Sequence, residues 1–291
     1  MQIVSTICAC KKALSIAHDN MNSVAFVPTM GNLHAGHIHL VEMAKQYAKF
    51  VVVSIFVNPL QFGVNEDLSP YPRTLNEDIE KLKAAGVDLV FTPSVEEMYP
   101  DFDGKALNQT MMITPPPFAK LYCGVSRPRH FDGVATVVIK LFNIVFFNSS
   151  APQFAVFGKK DFQQLAIIRE LVRQFNMPID IVAAETMREA SGLAMSSRNG
   201  YLTTAQKTQA AELQTLLKNI QQQILTGNKD YKKLETDAAQ SLNASGWVTD
   251  YIAICNASTL QPASVKDSAL LVLAAAKLGT TRLIDNIDFL R

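Results

Sequence analysis

A chain of 291 residues, 48% hydrophobic and 18% charged, has the balance of an ordinary globular protein and is long enough for one large domain or two modest ones. Its 27 basic and 26 acidic side chains give a formal net charge of +1, which argues against broad electrostatic binding to nucleic acid and leaves room for a local anion pocket. Cys8, Cys10, Cys123 and Cys255 form no C-x-x-C pair, the apolar run 269–276 is far short of a membrane span, and Lys11 and Lys12 follow the apolar start instead of preceding it, so a cytoplasmic protein with reduced thiols and no membrane partner is expected.

Taken in chain order, residues 24–27 predict a short buried strand, and a helix follows from about Gly36 to Tyr47. Pro28-Thr29-Met30-Gly31 and then His34-Ala35-Gly36-His37 lie at that junction. A strand-to-helix junction is a natural anion site, because unpaired N–H groups and the helix dipole point outward there. Glycine admits a phosphate close to the backbone, and histidine adds donors. A bare H-x-G-H pattern is equally a βα turn with two solvated histidines, since four-residue patterns recur by chance.

Residues 50–57 are nearly all apolar, as in a strand covered on both faces. A polar, proline-containing segment, 58–73, precedes a helix over 75–85 that Gly86 terminates. Strands are expected at 88–92, 153–157 and 179–184, with helices over 131–147 and 161–175. This alternation implies a parallel sheet with helices on both faces and ligands beyond the carboxyl ends of the strands. The segments from Pro28, Asn58 and Gly158 all follow such strands.

The pattern changes near 199–204. Ala210, Leu213, Leu217, Ile220 and Ile224 form a helical stripe, a second helix spans 231–243, and strands are expected at 248–255, 269–276 and 282–287. The expected architecture is α/β: a Rossmann-like parallel sheet flanked by helices over 1–185, with a smaller C-terminal α+β domain over 186–291 covering the nucleotide site.

Two later segments repeat the logic of the first. Gly158-Lys159-Lys160-Asp161 joins a strand to a helix and places two lysines where phosphate is favoured, with Asp161 able to accept from a ribose hydroxyl; alone, it is more readily a solvated junction. Ser196-Ser197-Arg198 offers hydroxyls, backbone donors and a guanidinium, or simply a capped loop. Gln61 and Gln164 are neutral amides that both donate and accept. His130 reads as structural, and Asp67, Glu77 and Asp78 as solvated charges.

Together these segments resemble the pantothenate synthetase (pantoate–β-alanine ligase) family, of the H-x-G-H nucleotidyltransferase group. The resemblance rests on 28–37, Asn58-Pro59-Leu60-Gln61-Phe62-Gly63, Tyr71-Pro72-Arg73-Thr74, His130-Phe131-Asp132-Gly133-Val134, Lys160-Asp161-Phe162-Gln163-Gln164-Leu165 and the run from Gly192 to Asn199, in family order. It implies ATP-dependent condensation of pantoate with β-alanine through a pantoyl adenylate, releasing AMP and pyrophosphate. His34 and His37 would serve the α- and β-phosphates, His37 also as proton donor. Lys160, Ser196, Ser197 and Arg198 would grip phosphate. The nucleotide would further meet Met30, Gly31, Asn32, Leu33, Ala35, Gly36, Gly158, Lys159, Asp161, Met187 and Met195, the last methionines near adenine and the loop. Gln61 and Gln164 would hold pantoate. Mg2+ would accompany ATP, held mainly by phosphates and by Asp78. The segment 61–73 would fold over the site as a lid, and the chain would form a homodimer.

Lys159, Arg129 and the apolar connection 146–152 depart from the family pattern. Lys159 is expected to face solvent while Lys160 faces phosphate. Two other readings share some of these residues. An enzyme that adenylates a phosphate would have His34-Ala35-Gly36-His37 but not the two glutamines in these contexts. A nucleotide-binding regulatory protein without catalysis would not need His37, Lys160 and Arg198 intact.

Overall fold

The computed structural model describes residues 1–63, 74–104, 106–147 and 150–291. The expected lid beyond Gly63, the Tyr71-Pro72-Arg73 motif and the centre of the 146–152 connection therefore lie outside the described residues. The chain forms two compact units: Met1–Pro116, Arg127–Lys159 and Gln164–Glu185 in the first, and Pro117–Ser126, Lys160–Gln163 and Thr186–Arg291 in the second.

The first unit is built on β1 (Gln2–Val4), α1 (Ile7–Asp19), β2 (Val24–Thr29), α2 (Ala35–Tyr47), β3 (Phe50–Ile55), α3 (Leu75–Ala84), β4 (Leu89–Phe91), α4 (His130–Val145), β5 (Gln153–Gly158), α5 (Phe162–Gln174, which belongs to this unit from Gln164 onward) and β6 (Asp180–Ala184). The strands form one parallel sheet in the order β1-β4-β3-β2-β5-β6. Alternate residues explain why both faces are buried. Ala25, Val27, Val51 and Val53 pack with Val41 and Ala44 of α2 and Leu82 of α3. From the opposite face of β2, Phe26 meets Phe142 and Phe146 edge-on, at the end of α4. Each large apolar side chain buried in this way contributes about 1.5–3 kcal/mol.

Chain order reverses beside β2: β3 and β4 continue to one side, β5 and β6 to the other. The carboxyl ends of β2 and β5, which are neighbouring strands, therefore flank the crevice where ligands bind in open parallel sheets. His34-Ala35-Gly36-His37 follows the end of β2, and Gly158 is the last residue of β5, with Lys159 just beyond it.

The second unit contains α6 (Thr204–Ala210), α7 (Glu212–Leu225), α8 (Tyr231–Ala244), β7 (Trp247–Asn256), β8 (Ala269–Leu278) and β9 (Thr281–Leu290). Its sheet is antiparallel, in the order β7-β8-β9. β8 is apolar from Ala269 to Ala276, and both of its faces are covered there. Leu270, Val272, Ala274 and Ala276 join Leu217, Ile220 and Leu234 from the helices, while Leu271 and Leu273 join Cys255 and Phe162.

The expected helices and strands after residue 23 are present, with ends moved by a few residues. Gly86, at φ +75°, does end α3, and Val87 N–H closes back onto the Leu82 carbonyl. β1 and α1 were not expected: the start of the chain reads only as mildly apolar, yet Thr6 caps a regular helix there.

Candidate active site

In the first unit, His34 is the N-cap of α2, with extended backbone at φ −125°, ψ 176°. Its Nδ1 accepts the Gly36 N–H at 3.1 Å, and its own N–H donates to His37 Nδ1 at 3.3 Å. The histidines thus form a reciprocal capping box, a task usually done by serine and glutamate. Their ring centroids are 4.1 Å apart. Because both Nδ1 atoms accept, the hydrogen-bond pattern assigns each neutral ring its proton at Nε2. The donors of these rings are therefore the Nε2–H groups. The sequence reading had the helix N–H groups pointing outward; two backbone N–H groups are instead taken by imidazole nitrogens.

The loop before the histidines is unusual. Gly31 and Asn32 are consecutive left-handed residues, at φ +80° and +51°. A Cβ on Gly31 would also stand 3.1 Å from Ile55 and 3.2 Å from Asp78. Asparagine is one of the few residues besides glycine that enter this region, where other side chains lose about 1–2 kcal/mol. Asp78 holds the turn: its Oδ2 accepts the Asn32 N–H at 2.8 Å and its Oδ1 the Leu33 N–H at 2.7 Å. Hydrogen bonds to a charged group contribute about 1.5–3 kcal/mol each, enough to outweigh such a cost. Thr74 Oγ1 donates to the same carboxylate at 3.2 Å.

Asp78 is fully buried. The expected metal role therefore does not fit this geometry: the carboxylate is enclosed and its oxygens are engaged by the loop. Among the described residues no cluster of three or more His, Cys, Asp or Glu side chains could hold a metal ion.

Gln61 is buried in a short turn, Pro59–Gln61, that follows β3, and is held from several directions. Its Oε1 accepts from Asn58 Nδ2 at 3.2 Å, and its amide nitrogen contacts Met30 Sδ. His130 Nδ1 donates to the Gln61 carbonyl at 2.7 Å, with Arg127 Nη2 beside it at 3.3 Å. Arg127 Nη1 lies 2.9 Å from His130 Nε2; since arginine only donates, His130 accepts there and carries its proton on Nδ1. Tyr99 Oη donates to Asn58 Oδ1 at 2.6 Å. Gly133 is required at this contact, because a Cβ there would lie 2.2 Å from the Leu60 carbonyl oxygen. The structural reading of His130 thus gains a specific content, and Asn58, Tyr99 and Gly133 join it as residues whose role the sequence reading missed. The Asn58-Pro59 and His130-Phe131-Asp132-Gly133 motifs carried the signal.

Lys159 does not face solvent as expected. Its ammonium lies 2.6 Å from Glu185 Oε1, and its side chain is only 22% exposed. Gln164 is half-buried on α5.

In the second unit, the neighbouring Gln163 is buried and engaged by the Phe118 and Leu121 carbonyls, at 3.0 and 2.8 Å. Lys160 and Asp161 form a loose pair at 3.8 Å. The Lys160 carbonyl accepts from Asn286 Nδ2 of β9 at 2.8 Å. Ser196 caps a short turn over Ser197–Tyr201, its Oγ accepting the Arg198 N–H at 3.2 Å. Buried Asn199 donates to Glu189 Oε1 and to the Ala194 carbonyl. Met195 N–H bonds to the Met187 carbonyl, so these two methionines share one loop. Arg188 anchors that loop on β9: it grips Asp285 with two hydrogen bonds, of 2.7 and 2.9 Å, and also reaches the Gly192 carbonyl. Lys160, Ser196, Arg198, Arg282 and Asp285 line one small cleft. The sequence reading missed Arg188, Asp285 and Asn286, which carry no motif of their own.

No helix among the described residues is long and apolar enough to cross a membrane. The profile of the family described as Pantoate-beta-alanine ligase matches residues 2–288. A pantothenate synthetase of Methylobacillus flagellatus is 64% identical over 268 residues, 92% of each chain. One from Thiobacillus denitrificans is 52% identical over 289 residues, 99% of this chain and 97% of that protein. Among solved structures, a pantothenate synthetase from Thermus thermophilus superposes with a TM-score of 0.89 at 41% identity, covering 99% of both chains. A pantoate-beta-alanine ligase from Francisella tularensis, described as complexed with beta-gamma ATP and beta-alanine, gives 0.75 at 34% identity over 100% of this chain and 97% of that one. With signature loop, glutamine network and serine–arginine turn all present and the match running almost end to end, this chain belongs to the pantoate–β-alanine ligase family.

Proposed function

We propose that this chain joins pantoate to β-alanine at the expense of ATP, through a pantoyl adenylate. A carboxylate does not react with an amine at neutral pH, because its oxygen is too poor a leaving group. In the first step a pantoate carboxylate oxygen attacks the α-phosphorus, and the bond to pyrophosphate breaks. In the second the β-alanine amine, having lost a proton, attacks the acyl carbon and AMP leaves. The protein must align the carboxylate, stabilise charge on phosphate oxygens and keep water from the anhydride.

The observation that carries this reading is the paired imidazole cap at the carboxyl end of β2, which fixes two Nε2–H donors at a helix N-terminus. We assign His34 and His37 to the α- and β-phosphates, and His37 to proton donation as pyrophosphate departs. Lys160, Ser196, Ser197 and Arg198 are assigned to phosphate oxygens. Met30, Gly158 and the loop from Gly31 to Leu33 approach the nucleotide by backbone, Asp161 takes the ribose, and Met187 lies by adenine. Gln61 and Gln164 orient pantoate: neutral amides bind its hydroxyls and carboxylate without the salt bridge that would blunt its attack. ATP brings Mg2+ on its own phosphates, the usual arrangement for that ion. A cytoplasmic homodimer completes the proposal.

The assay is direct. With ATP, Mg2+, pantoate and β-alanine, AMP and pantothenate should appear in equal amounts, and omitting either organic acid should abolish both. ADP in place of AMP would contradict the adenylate route.

A further inference from the structure

We propose that α3 sets the conformation of the signature loop, with Asp78 and Lys81 as positioning residues for His34 and His37, and that Asp78 is not a magnesium ligand. The inference rests on the functional reading above for its kinetics, but not for its geometry. Leu33, the residue before the first histidine, is held on both sides of its peptide chain. Asp78 takes its N–H at 2.7 Å, and Lys81 Nζ donates to its carbonyl at 2.7 Å. The two side chains stand three residues apart on α3, so they share a face. Asp78 also holds the N–H of left-handed Asn32, and Thr74 at the start of the helix completes the donor set. A loop with two successive positive φ values keeps that shape only when its surroundings over-determine it. Here a carboxylate and an ammonium bracket it, and the cap His34 begins at the next residue.

The same facts argue against a metal at Asp78. A carboxylate has about four lone-pair sites, and three donors already approach this one. It has no solvent exposure, whereas Mg2+ keeps several waters. Lys81, in contrast, belongs to an exposed stretch of helix where substitution ordinarily does little.

The test uses Lys81→Met, Lys81→Arg and Asp78→Asn in the full chain. Lys81→Met should lower kcat about tenfold with KM for ATP changed less than twofold and thermal unfolding unaltered, and Lys81→Arg should recover at least half of the rate. Asp78→Asn keeps an acceptor for one N–H and turns a donor against the other; kcat should fall about a hundredfold while the Mg2+ concentration for half-maximal rate stays within twofold. The 15N shifts of His34 and His37, read without nucleotide, should report the Nε2–H form in the parent and a mixture of tautomers in Asp78→Asn. Parent-like kcat in Lys81→Met, or a tenfold greater Mg2+ requirement in Asp78→Asn, overturns the proposal. If the parent makes no adenylate the functional reading fails, and the imidazole shifts still decide whether the clamp exists. If Asp78→Asn does not fold, the Lys81 pair decides.

Discussion

The loop of residues 31–37 and the loop of residues 187–199, both assigned above to phosphate, are held in shape by different means. In the first, a strained turn is fixed through its own peptide groups: Asp78 and two imidazoles accept backbone N–H groups. In the second, one residue, Gly192 at φ +96°, is left-handed and the restraint is a two-pronged ion pair, Arg188 on Asp285, supported by buried Asn199. The difference predicts how each fails. Loss of an acceptor lets the first loop relax locally, with effects on rate. Loss of one charge in the second strands its partner, with effects on stability first.

The largest effect is expected at the histidines. His34→Ala and His37→Ala should each lower adenylate formation by about a hundredfold or more, as removal of a transition-state donor does. The capping role sharpens this. His34→Ala should also lose about 1 kcal/mol of stability, whereas His34→Asn keeps a cap acceptor and should recover stability without recovering rate. Urea denaturation beside single-turnover kinetics separates the two roles.

Asp285→Ala comes next, with a loss of about 3 kcal/mol, because Arg188 would be left without its partner beside a buried site. Replacing both partners with apolar residues should cost less than the single change. A double change no better than Asp285→Ala alone would show that the pair is not what restrains this loop.

Gln61→Ala and Gln164→Ala should raise KM for pantoate about tenfold or more while ATP binding changes little, since unpaired polar groups weigh most on the substrate they face. His130→Ala should act in the same direction and less strongly, because it meets Gln61 at the main-chain carbonyl and not at the amide. Equal losses for ATP and pantoate would remove the two glutamines from the pantoate site.

The smallest effect concerns pH and lies away from both loops. His18 is buried against Phe147, neither ring nitrogen has a hydrogen-bond partner among the described residues, and burial holds its pKa below the ordinary value. The unfolded chain therefore binds a proton near pH 6.5 while the folded chain still excludes it. Stability falls as pH drops below that value and levels off below the depressed one. His18→Leu should show a shallower loss of urea midpoint between pH 7.5 and 5 than the parent.

The fold was legible because its strands are apolar on both faces and its helices end at clear signals such as Gly86. The start of the chain was not, since β1 has three residues and the buried face of α1, made of Cys10, Ala13, Leu14, Ala17 and His18, has Leu14 as its one large aliphatic. In the candidate site, the residues assigned to chemistry stand out in the sequence because they lie in motifs: His34, His37, Gln61, Lys160 and the serines. Their supports were not. Asp78 looks like a solvated helix charge until α3 folds against a loop 45 residues away, and Asp285 and Asn286 look like ordinary strand residues. Lys159 shows the limit from the other side: its identity suggested a solvent-facing lysine, and only the fold brings Glu185 to it. Spacing identifies residues that act together within a segment. Which distant side chain holds a segment in shape is set by topology.

The adenylate is the claim on which the other assignments depend, and isotope exchange tests it most directly. Given ATP, Mg2+ and pantoate without β-alanine, the protein should move label from pyrophosphate into ATP, because the reverse of the first step needs only adenylate and pyrophosphate. Adding β-alanine should suppress the exchange by draining the intermediate to pantothenate. Exchange that strictly required β-alanine, or release of phosphate in place of pyrophosphate, would contradict the account and move Lys160, Ser196, Ser197 and Arg198 to a different phosphate.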